Sequence, residues 1–133
     1  MRTVDTSVAV AAFASWHEKH EAAREALHGD LRLIDHCAIE TYSVLTRLPA
    51  PHRAPALLVR EFLRDGFPRP YLRLSAAAHR AFVLHLPEHE IAGGSVYDAL
   101  VAATAVHAGA ELLSCDRRAT PIYERYGVRV RLL

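Results

Sequence analysis

The chain's apolar and polar positions switch repeatedly between strand-like and helix-like spacing. Thr3 and Val4 form a short β-prone run that ends at Asp5, and Thr6-Ser7 offers an N-cap for the apolar stretch 8–14. Helix-forming residues continue over about 16–27 and stop at Gly29, after which Leu31-Arg32-Leu33-Ile34 predicts a second strand closed by Asp35. Between His36 and Leu48, the apolar residues Ile39, Val44, Leu45 and Leu48 recur at helical spacing, and Pro49, Pro51 and Pro55 then break the chain. A helix is predicted over 56–65, closed by Gly66. Pro68 and Pro70 lead into a short strand over 71–74, and Ser75 caps a helix running to about Leu86. A loop through Gly93-Gly94 precedes a strong helix over 95–108. A strand at 111–114, a helix at 117–125 and a strand at 128–132 complete the chain. Strands that alternate with helices predict an α/β fold, a three-layer α/β/α sandwich around a central, mostly parallel sheet, formed by one domain over 1–133.

Composition narrows the possible functions. With 133 residues, about half of them apolar, the chain is long enough for one sizeable core and too short for two. A formal net charge of +1 excludes a protein that grips nucleic acid with its whole surface, so any such contact has to be local. Lys19 is the only Lys among sixteen basic residues, an Arg bias that a GC-rich coding preference explains without invoking phosphate recognition. The start lacks an apolar leader-like stretch and no apolar run is long enough to span a bilayer, so a soluble, cytoplasmic protein without a membrane partner is expected. Cys37 and Cys115 fit neither a zinc spacing nor a disulfide framework.

In such folds, sites lie beyond the carboxyl ends of the strands, and there this chain concentrates acid. Asp5 closes the first predicted strand and Asp116 follows the 111–114 strand by two positions. Glu40 lies one turn into the helix after the second strand, flanked in azimuth by Cys37, Val44 and Leu48, the inward face. Asp98 occupies the first turn of the 95–108 helix, whose face carries the small residues Ala102, Ala105 and Gly109 and so allows close approach to the strands. Like charges gathered at one rim raise one another's pKa and destabilise the ionised fold unless a cation compensates. An all-oxygen donor set suits Mg²⁺ or Mn²⁺, with Ser7 and Ser114 as further hydroxyl contacts. Such an ion polarises a phosphoryl oxygen and lowers the pKa of an attacking water, which points to phosphodiester hydrolysis.

Each acid also has a purely structural explanation. Ser95-x-x-Asp98 fits a capping box, and Asp5 and Asp116 fit side-chain turns at strand ends. Glu40 is the hardest to explain so, because an acid on an apolar helical face requires a partner.

These residues stand in segments that together resemble the PIN-domain family, and within it the VapC-type ribonuclease toxins of toxin–antitoxin pairs. Val4-Asp5-Thr6-Ser7 is similar to the family's opening strand and first acid, and Ala38-Ile39-Glu40 resembles its second-acid helix. The run from Tyr97-Asp98-Ala99 to Ala105 resembles the third motif, and Leu112-Leu113-Ser114-Cys115-Asp116-Arg117-Arg118-Ala119 the fourth. The resemblance implies a metal-dependent endoribonuclease acting on single-stranded or looped RNA, with Asp5, Glu40, Asp98 and Asp116 as catalytic metal ligands for Mg²⁺ or Mn²⁺. It further implies a cognate antitoxin protein and a homodimer.

Other signals carry less. His17-x-x-His20 and His85-x-x-x-His89 have helical ligand spacing, but Pro87 interrupts the second pair and neither has a third ligand. Arg117 and Arg118 beside Asp116 suit either RNA phosphate or an ion pair at a helix start. Tyr97 and Trp16 are expected in the core rather than on a nucleobase, and the apolar segment containing Leu57 and Phe62 suits the core better than a partner groove. Two other classes share the acidic rim: a catalytically silent binding module of the same fold, and a Mg-dependent phosphotransfer domain. The second commonly needs a Lys near the phosphate, and Lys19 is poorly placed for that.

Overall fold

Three short parallel strands form the spine of the molecule in a computed structural model that describes residues 1–133. Arg2–Val4 (β1) pairs with Glu111–Ser114 (β2) in the register Thr3 to Leu112, and β2 pairs with Val130–Leu132 (β3) in the register Leu113 to Arg131. Seven α-helices accompany them: Thr6–Phe13 (α1), His20–Ala26 (α2), Asp35–Arg47 (α3), Ala56–Gly66 (α4), Ala76–Leu84 (α5), Val96–Ala108 (α6) and Thr120–Arg125 (α7). Val4, Leu112 and Leu113 from the sheet pack with Val8 of α1, Leu45 of α3 and Tyr123 of α7 in the main core, all of them almost wholly buried.

The strands expected at 31–34 and 71–74 are reduced to single parallel bridges, Arg2 to Leu31 and Ile34 to Leu72. The reason is local. Helix α3 begins at Asp35, directly after Ile34, and Pro70, which has no N–H to donate, precedes Tyr71. Their backbones still extend the sheet: Arg32 N–H donates to the Arg2 carbonyl (3.1 Å) and Leu72 N–H to the Leu33 carbonyl (2.8 Å). Across the molecule the order is therefore residue 72, residues 31–34, β1, β2, β3, all parallel. After β1 the chain runs out to one side of the sheet and returns to build β2 on the other. The topological switch point, where α/β sheets hold their ligands, thus falls just beyond the end of β1, at Asp5.

Two helices differ from expectation at their starts. The helix expected from Trp16 begins at His20, because the His17 ring accepts the Lys19 backbone N–H (3.0 Å) and holds the preceding residues in turns. The segment expected as one helix over 117–125 opens with a 3₁₀ turn at Arg117–Ala119 before α7, with Pro121 in the first turn of that helix. Likewise a 3₁₀ turn at Gly93–Ser95 leads into α6, and Gly109, at φ 67°, takes the left-handed conformation that ends it. Ala99, Ala102 and Ala105 on the inner face of α6 are fully buried, and this helix packs against β2, α3 and α7. Ser75 caps α5 as expected, accepting from Ala78 N–H at 3.1 Å.

Candidate active site

Asp5, Glu40, Asp98 and Asp116, brought from four separate stretches of sequence, line one cleft of about 60 Å³ at the switch point. Thr6, Ser7, His36, Tyr97 and Tyr123 line it with them.

Asp5 is the buried rear of the cleft, 3% exposed, and its carboxylate is saturated. Oδ1 accepts from Ser7 Oγ and from the Val8 backbone N–H (3.2 Å), so Asp5 is also the N-cap of α1. Oδ2 accepts from Ser114 Oγ and from the Tyr123 phenol (2.8 Å). Each serine in turn accepts a backbone N–H from beyond β2, Ser7 from Cys115 (2.8 Å) and Ser114 from Asp116 (2.9 Å). The two hydroxyls therefore relay Asp5 to the segment that carries Asp116. Burial raises the Asp5 pKa against the combined pull of these donors. Burial and the neighbouring Asp5 charge push the Tyr123 phenol far above its ordinary value, so it stays a donor. Ser114 is fully buried and does not line the cleft, so its observed partner is Asp5.

Glu40, half-buried on α3, meets His36 one turn earlier: Nε2 and Oε2 are 3.2 Å apart. This contact is the main cause of a lowered Glu40 pKa and a raised His36 pKa. Asp116 accepts the Arg118 backbone N–H (2.9 Å) and caps the 3₁₀ turn before α7, while the Arg118 guanidinium stands 3.5 Å from its other oxygen. The ion pair thus falls to Arg118, which is almost fully exposed, and Arg117 does not line the cleft.

Asp98 differs from the other three. The capping-box explanation fails, because Ser95 Oγ donates to the Ala92 carbonyl (2.9 Å) and makes no capping bond to α6. Burial, then the charges of Asp116, Asp5 and Glu40, raise the Asp98 pKa, with Arg118 the opposing charge. A half-buried carboxylate facing three others is the position a bound cation relieves most.

The PIN domain family matches residues 3–125 of the sequence. This chain belongs to the PIN domain family. It is 54% identical over 129 residues to Ribonuclease VapC40 of Mycobacterium tuberculosis, a match spanning 97% of this chain and 96% of that protein. It is 41% identical over 128 residues to Ribonuclease VapC27 of the same organism, spanning 96% and 93%. The fold is also that of a chain in the crystal structure of VapBC2 from Rickettsia felis bound to a DNA fragment from their promoter, at a TM-score of 0.68 and 13% identity, covering 99% and 98% of the two chains.

The donor set of this PIN-domain cleft fits a hard divalent ion in kind: carboxylate oxygens around Asp98, and no thiolate or second imidazole beside His36. As the side chains stand, no three of the chain's His, Cys, Asp or Glu residues converge closely enough to hold one. Asp5 has all four lone-pair positions taken. Adjustment for an ion thus falls to Glu40, Asp98 and Asp116, none of which is fully buried.

Sequence reasoning did not place His36, Tyr123 or Tyr97 at the cleft. His36 carried a usable signal, since it stands four residues before an acid on the same helical face. Tyr123 carried none, because only the packing of α7 brings its hydroxyl to Asp5. Tyr97 was expected in the core and is instead 55% exposed; Trp16, expected there too, is 50% exposed.

Proposed function

We propose that this chain is a divalent-metal-dependent endoribonuclease, the toxin of a toxin–antitoxin pair, acting in the cytoplasm on single-stranded or looped RNA. The observation that carries the reading is the convergence of Asp5, Glu40, Asp98 and Asp116 on one small cleft at the sheet's switch point, with Asp98 lacking any protein donor of its own. The 54% identity to a protein named as a ribonuclease supports it. Glu40, Asp98 and Asp116 would hold Mg²⁺ or Mn²⁺, with Asp5 behind them as the fixed rear wall. When bound, such an ion supplies charge compensation, Lewis acidity toward a phosphoryl oxygen and an activated water. The chain's own contribution is positional. Asp5 and its serine relays fix the β2 end that presents Asp116, and His36 orients Glu40. The cleft would receive a phosphate oxygen among its acids. In-line attack by water on phosphorus then leaves 5′-phosphate and 3′-hydroxyl ends with no covalent intermediate.

A toxin needs an antitoxin to silence it, and α4 supports that part of the reading. Leu57 (64% exposed) and Leu58 stay outside the core that Val59 and Leu63 enter, and Leu57 lines a groove with Tyr42, Ala56 and Tyr71 that offers an apolar surface for an antitoxin segment. A homodimer is the assembly proposed for the toxin itself.

The test is incubation of the purified protein with total cellular RNA in Mg²⁺ or Mn²⁺, beside an EDTA control and the Asp98→Asn variant, with new ends mapped by sequencing. Discrete ends that need the metal, and fall about a hundredfold or more in the variant, are expected. No new ends, together with no metal-induced rise in Tm, would leave the silent binding module in place of the nuclease.

A further inference from the structure

The cleft has an aromatic margin that the four acids do not explain. Tyr97, the second residue of α6 and the neighbour of Asp98, stacks on His36 from the first turn of α3, with ring centroids 5.3 Å apart and planes within 5°. Both rings line the acid cleft. His36 is held at Nε2 by Glu40, so the imidazole is a fixed backing, whereas more than half of Tyr97 stays open to solvent. A large exposed aromatic, held flat against a second ring beside an acid-lined cleft, is a surface a planar group can lie on.

We infer that the Tyr97–His36 pair is a stacking shelf for the nucleobase next to the scissile phosphate, and thereby sets where on a strand the enzyme cuts. The inference rests on the nuclease reading above and adds a positioning residue to it. The physics is that of single-strand binders: an unpaired base stacks on an aromatic face with little regard to its identity, and in doing so fixes the phosphate attached to it. Because Tyr97 adjoins Asp98 in sequence and His36 bonds Glu40, a base on this shelf places its phosphate over the two acids that these helices carry. Paired RNA cannot offer its base this way, so the shelf also selects single-stranded or looped substrate. Trp16 provides a contrast. Its ring also lies against an imidazole, that of His52 at 4.2 Å, but tilted by 34°, and neither ring lines the cleft.

The test uses the full-length protein in Mn²⁺ and a short oligoribonucleotide copied from the strongest site it cuts in total RNA. Versions of that RNA carry an abasic ribonucleotide at each position flanking the cut. Tyr97→Ala is expected to raise KM about tenfold with a much smaller change in kcat, Tyr97→Phe to restore the wild-type KM, and Trp16→Ala to match wild type. One abasic position should cost wild type the same factor and cost Tyr97→Ala nothing more. An unchanged KM in Tyr97→Ala, or a further loss in that variant at every abasic position, overturns the shelf. A loss confined to kcat also overturns it, making the pair a clamp between α3 and α6. A wild type that cuts no RNA at all overturns instead the nuclease reading, and the shelf with it.

Discussion

Asp5 shows how one residue answers several demands at once: it ends a strand, caps a helix and closes two serine relays, all with one buried carboxylate. Asp98 has the opposite character, exposed to three like charges and bonded to no protein donor. Both have a pKa raised above the ordinary aspartate value of 3.8. The folded chain therefore holds these protons where the unfolded chain has lost them. Their contribution to stability is present at low pH and lost as pH rises through the raised values. Glu40, lowered from 4.5, runs the other way: its contribution is present above the unfolded value and lost as pH falls through the lowered one. Asp98→Asn removes one member of the first class. In metal-free buffer its Tm is expected to equal or exceed that of wild type at pH 7, with the difference closing as pH falls toward about 4. Thermal melts from pH 4 to 8 check this, and a variant that melts below wild type at neutral pH would mean that the fold itself depends on the Asp98 charge. The four acids were legible in the sequence because strand ends, first helical turns and, for Glu40, the inward face of a helix are read from local pattern. Tyr123 and the two serine relays were not, since each joins residues more than a hundred positions apart through packing alone.

At the scale of elements, local pattern predicted helices well and strands less well. α1, α3, α4, α5 and α6 stand where periodicity, caps and prolines put them. The strips at 31–34 and 71–74 have strand-like composition, yet they keep only one bridge each, because ladder formation depends on neighbours and on flanking prolines that local pattern does not weigh. The helix that matters most to the site is α6, which carries both Tyr97 and Asp98. Its inner face is a column of alanines, Ala99, Ala102 and Ala105, all fully buried, and their small size lets α6 approach the sheet. Ala102→Leu inserts three carbons where no space exists, at an expected cost of about 1–3 kcal/mol. Urea unfolding should show a lower midpoint for this variant, and because α6 has to move outward, the Mn²⁺-induced rise in Tm should shrink as well. A fully stable Ala102→Leu protein with an undiminished metal shift would mean that α6 does not set the position of Asp98.

On the scale of the whole molecule, two surfaces differ in character. One is the acidic cleft with its aromatic margin and the exposed Arg117 and Arg118 nearby in sequence, a local arrangement in a chain of net charge only +1. Salt-dependent RNA binding, where it occurs, then comes from a few arginines rather than from bulk charge. The other is the outer face of α4. Leu57 and Phe62 were both expected to favour the core, and the structure separates them. Phe62 is only partly buried but makes edge-to-face contacts with Phe13 (5.4 Å) and Phe67 (5.8 Å), whereas Leu57 and Leu58 stand in solvent. The two positions therefore report on different things. Leu57→Asp and Leu58→Asp should fold and cut RNA as wild type does, because both side chains are more than half exposed and neither lines the cleft. If α4 receives the antitoxin, each should weaken co-purification with the protein encoded by the adjacent reading frame and lower its power to suppress cleavage, by about tenfold or more where the leucine is an anchor of the interface. Phe62→Asp should instead lower stability by about 3 kcal/mol or more, because it places a charge between the two rings of Phe13 and Phe67. Binding assays on the leucine variants and urea melts on all three separate the two roles. Full antitoxin binding by both leucine variants would move the partner to another face of the molecule, and equal destabilisation of all three would return this stretch of α4 to the core.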